Sequence, residues 1–407
     1  MPRLCMMNNN GRQRVKYKIT FLTFQLLDLF LSKTAYVELS KKLAERGNQI
    51  DFFGVGSRWV LKFRNKAMHE IAIPMKIFPI VTHMFYLILL ILILPFYIAV
   101  KRPDFIIFEP KFGSSLLALE LKLFPPSLKP KMLLDIRSTI VGMPTFRRFL
   151  GEFAFNFSVV TATKMFDGIT IVTNRMKEEV CQKFLLNPEF IRVWHNGVDL
   201  DLFRSRKSEG REMRKRLGLS DRFIVFYHGA FRENGGIKET IQSIQILKKD
   251  YPSITLFLLG AGPGLKSFEN LVRENKLEDR VVIHKPVNYF EVPKYIAMAD
   301  VGIVPLPDIP DWRNQSPLKL IEYLAMEKVV IATDIPANRE VIGEEDCGIY
   351  VSAVSPEAIA EAILNAYNNR EKLEKWGASG RARVKEEYDW RTIAQSFEKY
   401  LHSLSTC

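Results

Sequence analysis

The sequence has few cysteines, and none of them has the spacing that a metal cluster or a disulfide framework needs. Only Cys5, Cys181, Cys347 and Cys407 occur in 407 residues. Zinc clusters and small disulfide-bonded domains bring their cysteines together in closely spaced pairs. We therefore expect no zinc site and no disulfide scaffold, and we take a reducing compartment as the default.

The N-terminal stretch lacks acidic residues and also lacks the pattern of a signal peptide. No Asp or Glu precedes Asp28, and the basic residues before it are not followed by an apolar core with a small-residue cleavage site, so we expect no cleaved leader. Hydrophobic residues make up 47% and charged residues 25% of the chain, which excludes a mainly disordered or collagen-like protein. A length of 407 residues predicts two or three domains.

Basic residues are in excess. The chain has 58 Lys and Arg against 45 Asp and Glu, a formal net charge of +13. Such a balance attracts nucleic acid, anionic lipid head groups or a phosphate-bearing ligand. Because no interleaved aromatic and basic platform is evident, we expect no nucleic-acid partner.

From Lys18 onward, short apolar runs alternate with longer stretches of helical period. This alternation is typical of repeated βα units and a parallel sheet. It predicts strands near Ile19, Ile50, Asp104, Met132, Gly168 and Ile191 in the first half, and near Phe223, Ile254, Val281, Val301, Val329 and Ile349 in the second.

The fold class is therefore α/β, with two Rossmann-like doubly wound parallel-sheet domains that face each other across a cleft. A charged stretch over residues 204–216 precedes the strand at Phe223 and places the domain boundary near residue 200. Sheets of this kind bind ligands at the carboxyl ends of their strands, so we expect the ligands in that cleft.

Residues 77–100 carry no charge apart from His83, and the segment is long enough to cross a bilayer. A span would put the first two predicted strands across the membrane from the next two, so they could not share a sheet. We expect instead a helix that packs on the sheet and dips its apolar face into one leaflet, as a monotopic anchor does. A fully buried core helix is an equally good alternative. The mixture of Arg and Phe in residues 145–157 favours the membrane, although a solvated helix with one core face also explains it.

The most specific stretch is residues 314–334, NQSPLKLIEYLAMEKVVIATD. Ser316 can cap a helix, and Pro317 suits a first helical turn. The pattern predicts a helix over residues 318–326 that leads directly to the strand at Val329.

The start of that helix has the groups that a nucleoside diphosphate needs. Its free amides suit an anion, and Lys319 adds positive charge. Glu322 lies three residues later on nearly the same helix face, where its carboxylate can accept hydrogen bonds from ribose hydroxyls. The motif therefore predicts a nucleotide-diphosphate site.

This motif resembles the nucleotide-sugar motif of the family 4 glycosyltransferases, which have the GT-B fold of two Rossmann-like domains. Further matches extend over nearly the whole chain. They are YHG at 227–229, LGAGPG at 259–264, ADVGIVP at 299–305, and NGVD at 196–199 with Phe203.

The resemblance implies a hexosyltransferase-type enzyme that moves a sugar from a nucleoside-diphosphate sugar to an acceptor hydroxyl. It implies retention at the anomeric carbon, no metal, and no cofactor besides that co-substrate. By the same resemblance, Glu322 contacts the donor ribose. The segment Ser316, Pro317 and Leu318 holds the diphosphate together with Lys319.

The resemblance also assigns the loop after the first strand of the second domain, where Gly229 lets the donor phosphates approach. The family's Arg and Lys of this loop fall at Ala230 and Gly235, so those two cations are missing. Arg232 or Lys238 can substitute for them; both can equally be solvated side chains.

Four more positions are candidate site residues, with Asp135 expected to be catalytic together with Lys319 and Glu322, and the other three expected to contact substrate. Asn314 stands where the family often has its first Glu, eight positions before the second, and an Asn still hydrogen-bonds a sugar hydroxyl. Glu340 lies where relatives often have a Glu near the donor, or it is a helix-start carboxylate. Asp135 and Arg137 follow a strand where many relatives have a His. Asp135 can accept from hydroxyls and Arg137 can pair with an acceptor phosphate, or the two form a strand-end ion pair.

Three other patterns are better explained as structure. The glycines of residues 260–264 have Leu265 at the third position of the dinucleotide motif, so we expect a turn. Asp199 and Asp201 lie in a connection where turn and capping roles fit better than a metal site, so we predict no catalytic metal. His228 is expected to be structural, although it borders the donor loop.

The resemblance assigns one of the two substrates to each domain. Residues 1–200 form the acceptor-side domain and residues 201–387 the nucleotide-sugar-binding domain. The helix over 388–407, which contains Trp390, resembles the GT-B helix that crosses back to the first domain.

The apolar segment and the basic balance favour a lipid-linked or envelope glycan precursor as the acceptor. They also favour a cytoplasmic location, peripheral or monotopic on the inner face of the cell membrane. The missing loop cations and the Asn at 314 keep an alternative open, which is a non-catalytic membrane-associated binding protein with the same fold.

Overall fold

The computed structural model describes residues 16–27, 34–56, 60–65, 67–74, 79–138, 145–343 and 346–406. The chain divides into two compact units. The N-terminal unit comprises Met1–His195 with Trp390–Cys407, and the central unit comprises Asn196–Asp389. The division falls between His195 and Asn196, whereas the sequence placed the boundary near residue 200, and the last helix belongs to the N-terminal unit.

The N-terminal unit is built on an eight-stranded sheet of order β3-β4-β2-β1-β5-β6-β7-β8. Its strands are β1 Lys18–Leu26, β2 Gln49–Gly56, β3 Val60–Asn65, β4 Met68–Pro74, β5 Phe105–Phe108, β6 Lys131–Ile136, β7 Gly168–Ile171 and β8 Ile191–Val193. Its helices are α1 Thr34–Glu45, α2 Pro79–Lys101, α3 Phe112–Lys122, α4 Thr145–Met165 and α5 Asn174–Phe184.

The six strands predicted for this half are confirmed, but the edge hairpin was missed. Strand β3 runs antiparallel to β4, whereas every other neighbouring pair in the sheet is parallel. The predicted parallel sheet therefore carries one antiparallel strand at its edge, which the sequence analysis did not predict. The sequence of β3, VLKFRN, has no continuous apolar run of the kind that marks a parallel strand buried on both faces.

The central unit is built on a six-stranded parallel sheet of order β11-β10-β9-β12-β13-β14. Its strands are β9 Phe223–Ala230, β10 Ile254–Ala261, β11 Val281–His284, β12 Val301–Val304, β13 Val329–Thr333 and β14 Gly348–Val351. Its helices are α6 Lys207–Arg216, α7 Ile237–Leu247, α8 Leu265–Glu274, α9 Val292–Met298, α10 Pro310–Arg313, α11 Leu318–Ala325, α12 Pro336–Ile342, α13 Pro356–Asn368 and α14 Leu373–Glu387. All six predicted strands are confirmed. The strand order reverses between β9 and β12, which is where open α/β sheets bind their ligands.

Helix α2 packs on the N-terminal sheet by one face only. The Tyr97 hydroxyl on the inner face donates to Asp51 Oδ2 at 2.7 Å and lies 2.7 Å from Thr20 Oγ1. On the outer face, Leu92 is 60% exposed and Phe96 is 75% exposed. The prediction that this helix packs on the sheet is confirmed, and the fully buried alternative is wrong.

Within the described residues, Met84–Lys101 is the one stretch long and apolar enough to count as a candidate membrane span, and 33% of it is buried in the protein. A core helix of a soluble protein passes the same test of length and composition. The hydrogen bonds that attach the inner face of α2 to the sheet therefore say more about the placement of this helix than its length and composition do.

The last helix, α15 Trp390–Thr406, packs against α1. Glu398 on α15 is 3% exposed, and its carboxylate accepts from Lys16 Nζ at 2.8 Å, Arg46 Nη2 at 2.7 Å and Asn48 Nδ2 at 2.8 Å. This carboxylate therefore attaches α15 to Lys16, which precedes β1, and to Arg46 and Asn48, which lie between α1 and β2.

We expect Glu398→Ala to weaken this attachment by roughly 2 kcal/mol, because the buried Asn48 amide and two cations lose their acceptor. Hydrogen–deuterium exchange of residues 390–406 should then be about 30-fold faster at neutral pH. Glu386→Ala, at an exposed position of α14, is the control. Unchanged exchange in the Glu398 variant would contradict this account.

The effect should also depend on pH. Burial raises the pKa of the Glu398 carboxyl, but the hydrogen bonds from Lys16, Asn48 and Arg46 outweigh it and hold the pKa below the usual value. A carboxyl with a lowered pKa in the folded state stabilises above its unfolded pKa and loses that contribution as the pH falls through the folded pKa. The difference between wild type and Glu398→Ala should therefore shrink in acid.

Candidate functional site

The predicted motif helix is α11, and it begins beside the point where the central sheet reverses its strand order. The loop after β12 leads into α11, and the adjacent strand β9 ends at Ala230. The helix leads directly to β13, as predicted. The predicted motif therefore lies at the carboxyl edge of the sheet.

The helix start differs in one respect from the prediction. Pro317 occupies the cap position without a side-chain hydrogen bond, so the expected capping by Ser316 is wrong. The Ser316 carbonyl instead accepts from Asn196 Nδ2 at 3.1 Å, and Leu320 N donates to the Pro317 carbonyl at 3.0 Å. Pro317 has no N–H, so it cannot donate to an anion.

The first-turn amides of Leu318 and Lys319 have no helical carbonyl preceding them to bond, because a helix satisfies its first N–H groups only from outside. The Lys319 ammonium lies 3.9 Å from the centre of the Tyr227 ring. A β-carbon at Gly229 would lie 3.4 Å from Lys319 Nζ. The structure thus brings Lys319 and Gly229 together at the end of β9, where the sequence predicted a phosphate site.

Glycines at the end of β10 and in the loop after it allow the backbone to pack closely against the end of β9. A β-carbon at Gly260 would overlap the carbonyl oxygen of Gly229, and one at Gly262 would overlap that of Phe231. The Gly264 amide donates to the Phe231 carbonyl at 2.9 Å. The expected turn is found at residues 262–264, whereas Gly260 and Ala261 are the last two residues of β10. Two backbones meet here with no room for side chains.

Glu322 is 4% exposed, and both of its carboxylate oxygens contact protein groups. Oε2 lies 2.7 Å from His228 Nε2, and Oε1 accepts from the Tyr289 hydroxyl at 3.1 Å. Sequence reasoning gave Glu322 a ligand contact only and missed Tyr289 altogether. His228 was taken as structural, and its position before Gly229 was the one signal for a closer role.

The other donor-side candidates are placed as follows. Arg232 is exposed, and its guanidinium lies 5.6 Å from the centre of the Trp312 ring. Lys238 is also exposed, on α7. Asn314 is buried just before α11.

Glu340 is in the second turn of α12, so the helix-start alternative is wrong. Its backbone carbonyl accepts from the Tyr388 hydroxyl at 3.1 Å and from Arg383 Nη2 at 3.2 Å. These contacts connect α12 to α14 and to Tyr388, the residue that follows α14. They do not involve α11, which begins at Leu318.

Asp135 lies on β6 of the N-terminal unit, 1% exposed, and its carboxylate accepts three hydrogen bonds. The donors are the Tyr36 hydroxyl at 2.8 Å, Thr170 Oγ1 at 2.6 Å and Trp194 Nε1 at 2.9 Å. Burial raises the pKa of this carboxyl against the opposing effect of Arg137 and the three donors.

Arg137 contacts the same tryptophan. Its Nη1 donates to the Trp194 carbonyl at 2.7 Å, and its guanidinium stacks 3.5 Å from the Trp194 ring centre. Asp135 and Arg137 thus hold Trp194 between them. For Asp135 to contact an acceptor it must give up bonds within its own fold, so its catalytic role stays a prediction.

A buried carboxylate that sequence reasoning missed follows β5. Glu109 is 7% exposed and accepts from Thr23 Oγ1 on β1 at 2.7 Å. Strands β1 and β5 pair at the point where the N-terminal sheet reverses its strand order. The available signal was an acid placed directly after an apolar strand.

The turn role predicted for Asp199 is confirmed, since its Oδ1 accepts from the amides of Asp201 and Leu202 at 2.9 and 3.2 Å. Among the residues with described positions, no three His, Cys, Asp or Glu side chains are grouped so as to hold a metal ion.

Two family models together match most of the chain. Residues 33–202 match Glycosyltransferase Family 4, and residues 209–383 match Glycosyl transferases group 1. The chain belongs to the family 4 glycosyltransferases. The family suggested by the motif at 314–334 is thus confirmed.

Curated relatives of this family 4 glycosyltransferase match it over about half of its length. A GDP-mannose-dependent alpha-(1-6)-phosphatidylinositol monomannoside mannosyltransferase of Mycobacterium tuberculosis is 25% identical over 207 residues, 50% of this chain and 54% of the relative. Alpha-D-kanosaminyltransferase of Streptomyces kanamyceticus is 24% identical over 212 residues, 51% of this chain and 53% of the relative. The chain thus spans about half the length of the curated relatives it matches.

Solved structures share the fold over nearly the whole chain. Sucrose-phosphate synthase from Thermosynechococcus elongatus has a TM-score of 0.73 at 18% identity, covering 96% of this chain and 100% of that one. The HepE protein of Anabaena in complex with UDP has a TM-score of 0.72 at 14% identity, covering 95% and 100%. The predicted GT-B fold is confirmed.

We expect Gly229→Ala to lower the melting temperature more than Gly218→Ala does. Gly229 has φ +123° with Lys319 Nζ 3.4 Å from the added carbon, whereas Gly218 has φ +70° and open space around it. The first angle suits glycine alone, but the second lies near the left-handed region that other residues enter at a cost of about 1 kcal/mol. Equal losses in thermal unfolding would show that the end of β9 tolerates a side chain.

Proposed function

We propose that this glycosyltransferase moves a sugar, of the hexosyl type, from a nucleoside-diphosphate sugar to an acceptor hydroxyl. We further propose that it retains the anomeric configuration and uses no catalytic metal. The observation that carries the proposal is the position of the Lys319 ammonium beside Gly229, at the start of α11 and at the reversal of strand order. Cation, peptide amides and a backbone free of side chains meet there, which suits a diphosphate.

The chemistry places its main demand on the leaving group. In the transfer, the bond from the anomeric carbon to a phosphate oxygen breaks, and the acceptor oxygen forms the new bond to that carbon from the same face. The acceptor hydroxyl passes its proton to the departing phosphate oxygen. Negative charge therefore develops on the departing diphosphate. The amides of Leu318 and Lys319, with the Lys319 ammonium, stabilise this charge, and Arg232 is the candidate second cation.

Solved complexes of proteins with the same fold support a nucleotide ligand. The HepE protein of Anabaena has been solved in complex with UDP and with UDP-glucose. The mycobacterial relative is named for its dependence on GDP-mannose. We carry over to this chain only the shared chemistry, a nucleoside diphosphate joined to a sugar.

We expect Lys319→Ala and Glu322→Ala each to weaken the binding of a nucleoside diphosphate by about tenfold to 100-fold, because each removes a charged hydrogen-bonding partner. Titration calorimetry with UDP, GDP and ADP gives the affinities, and release of the nucleoside diphosphate from nucleotide sugars gives turnover. Lys375→Ala and Glu361→Ala, at exposed helix positions of the same unit, are the matched controls.

Two results would contradict the proposal in different ways. Unchanged affinity in both site variants would remove the site assignment. Tight binding by the wild type without transfer or hydrolysis of any nucleotide sugar would favour the alternative, a non-catalytic binding protein with the GT-B fold.

We also propose that the protein works at an anionic membrane surface, on the cytoplasmic side, with a lipid-linked or envelope glycan precursor as acceptor. The outer face of α2 supports this, because its large apolar side chains are exposed. They are Met84, Phe85, Ile88, Ile91, Leu92, Phe96 and Val100. Cys181 is a free thiol, which suits a reducing compartment.

The exposed apolar surface continues beyond α2. Helix α2 contacts α3, and α3 contacts α4. The ring of Phe112 at the start of α3 lies 4.9 Å from that of Phe157 and 6.5 Å from that of Phe153, both on α4. Exposed cations lie on or beside the same helices, at Lys111, Lys122, Lys129, Arg148 and Lys164. An apolar face with a basic rim suits an interfacial position on anionic lipid.

Interfacial binding fits this face better than a span does. The inner face of α2 is attached to the sheet through Tyr97, Asp51 and Thr20, and a span would expose these polar groups to hydrocarbon.

We expect the wild type to float with vesicles of phosphatidylcholine containing about a third phosphatidylglycerol, less so at high salt because the basic rim is screened. The double variant Leu92→Ser/Phe96→Ser should bind at least about tenfold more weakly, since it removes two large apolar groups from the contact. Leu185→Ser/Ile246→Ser, which alters exposed apolar residues elsewhere, is the control. Vesicle binding equal to wild type in the α2 variant, or a wild type that ignores vesicles and forms a dimer through this face, would contradict the proposal.

A further inference from the structure

The carboxylate of Glu322 is held before any ligand arrives. His228 Nε2 lies 2.7 Å from Oε2, and the Tyr289 hydroxyl lies 3.1 Å from Oε1. We propose that His228 is a positioning residue that fixes the Glu322 carboxylate for the donor ribose. This inference rests on the proposed function, because it concerns the same nucleotide site.

The hydrogen bonds around His228 assign its ring protons. The Tyr323 oxygen accepts from the backbone amide of His228 at 3.1 Å and lies 3.0 Å from Nδ1 of the same ring. With that amide on the oxygen, the hydroxyl proton is free to point at Nδ1, which then acts as an acceptor. The proton of a neutral imidazole is consequently on Nε2, where it donates to Glu322.

Packing fixes the ring in the plane that this bond needs. The imidazole stacks on Phe226 at 5.8 Å with 25° between the planes, and Tyr323 meets it edge-on at 5.1 Å. Since Glu322 and Tyr323 are consecutive on α11, one histidine is joined to two neighbouring residues of the helix. The end of β9 and helix α11 are therefore fixed relative to each other through His228.

The charge and burial of Glu322 explain why a partner is required. A carboxylate with a 5% exposed side chain is costly unless it is hydrogen-bonded. Each carboxylate oxygen accepts two hydrogen bonds, so one from His228 and one from Tyr289 leave an acceptor position on each oxygen. The two adjacent hydroxyls of a ribose can each donate a hydrogen bond, and they match these two adjacent acceptor positions.

The test compares nucleotides with and without those hydroxyls. Affinities of UDP, GDP and ADP and of their 2′,3′-dideoxy analogues are measured for the wild type, His228→Ala, His228→Gln, Glu322→Ala and the double variant His228→Ala/Glu322→Ala. His402→Ala, a histidine of the N-terminal unit, is the control for loss of an imidazole. Thermal unfolding of each variant checks that it folds.

If His228 acts through Glu322, His228→Ala should reduce the preference for the ribose form over the dideoxy form by about tenfold. It should add nothing further when Glu322 is already Ala. His228→Gln should restore most of the preference, because its amide nitrogen can donate to the same oxygen. In steady-state kinetics the donor KM should rise more than kcat falls.

The two levels of the argument fail differently. A wild type that binds none of the three nucleotides overturns the proposed function, and this inference with it. A wild type whose preference for ribose disappears in Glu322→Ala but persists in His228→Ala overturns the inference alone. Equal weakening of ribose and dideoxy forms in His228→Ala also overturns the inference, because His228 would then only support the fold. If the alanine variant does not fold, the same comparison is made with His228→Gln, and loss of affinity for both forms alike overturns the inference.

Discussion

The candidate site depends on a close approach of backbone to backbone at the end of β9. Gly229 and Gly260 pair across neighbouring strands, and Gly262 lies against Phe231 with no room for a side chain. Because these positions lack side chains, the two loops meet directly, and space remains above Gly229 for the Lys319 ammonium. A diphosphate can approach the end of β9 closely because no side chain stands at Gly229, so the rest of the site depends on this packing.

The chemistry of the proposed site follows from where the sheet brings its parts. The strand order reverses between β9 and β12, where open α/β sheets bind their ligands, and α11 starts at this edge. Lys319 places a cation near the strand end, whereas Glu322 is buried and held by His228 and Tyr289. Lys319 therefore suits contact with the diphosphate, whose charge changes during the reaction. Glu322 suits contact with the ribose, which must be recognised in one orientation.

Sequence reasoning succeeded where one local signal determines the answer. Apolar runs of buried parallel strands start where expected in both units, and the motif helix begins at Leu318 as predicted. It failed where contacts between distant segments decide. The partner of Glu322 comes from residue 289 and the hydrogen bonds of Asp135 come from Tyr36, Thr170 and Trp194, so no spacing within one motif could indicate them.

Local competition explains the remaining errors. Serine is a good cap in isolation, but the proline after it takes the cap position, and the Ser316 carbonyl is used by Asn196. The β3 and β4 hairpin was missed because its outer strand has no continuous apolar run. The apolar segment at α2 was ambiguous in sequence because composition does not tell which face of a helix meets a sheet.

The most direct test of the central claim is a crystal structure of the protein with whichever of UDP, GDP or ADP it binds most tightly. The account predicts the diphosphate within hydrogen-bonding distance of the Leu318 and Lys319 amides and Lys319 Nζ, with the ribose hydroxyls on Glu322. A nucleotide bound elsewhere, with its phosphates away from the start of α11, would contradict it.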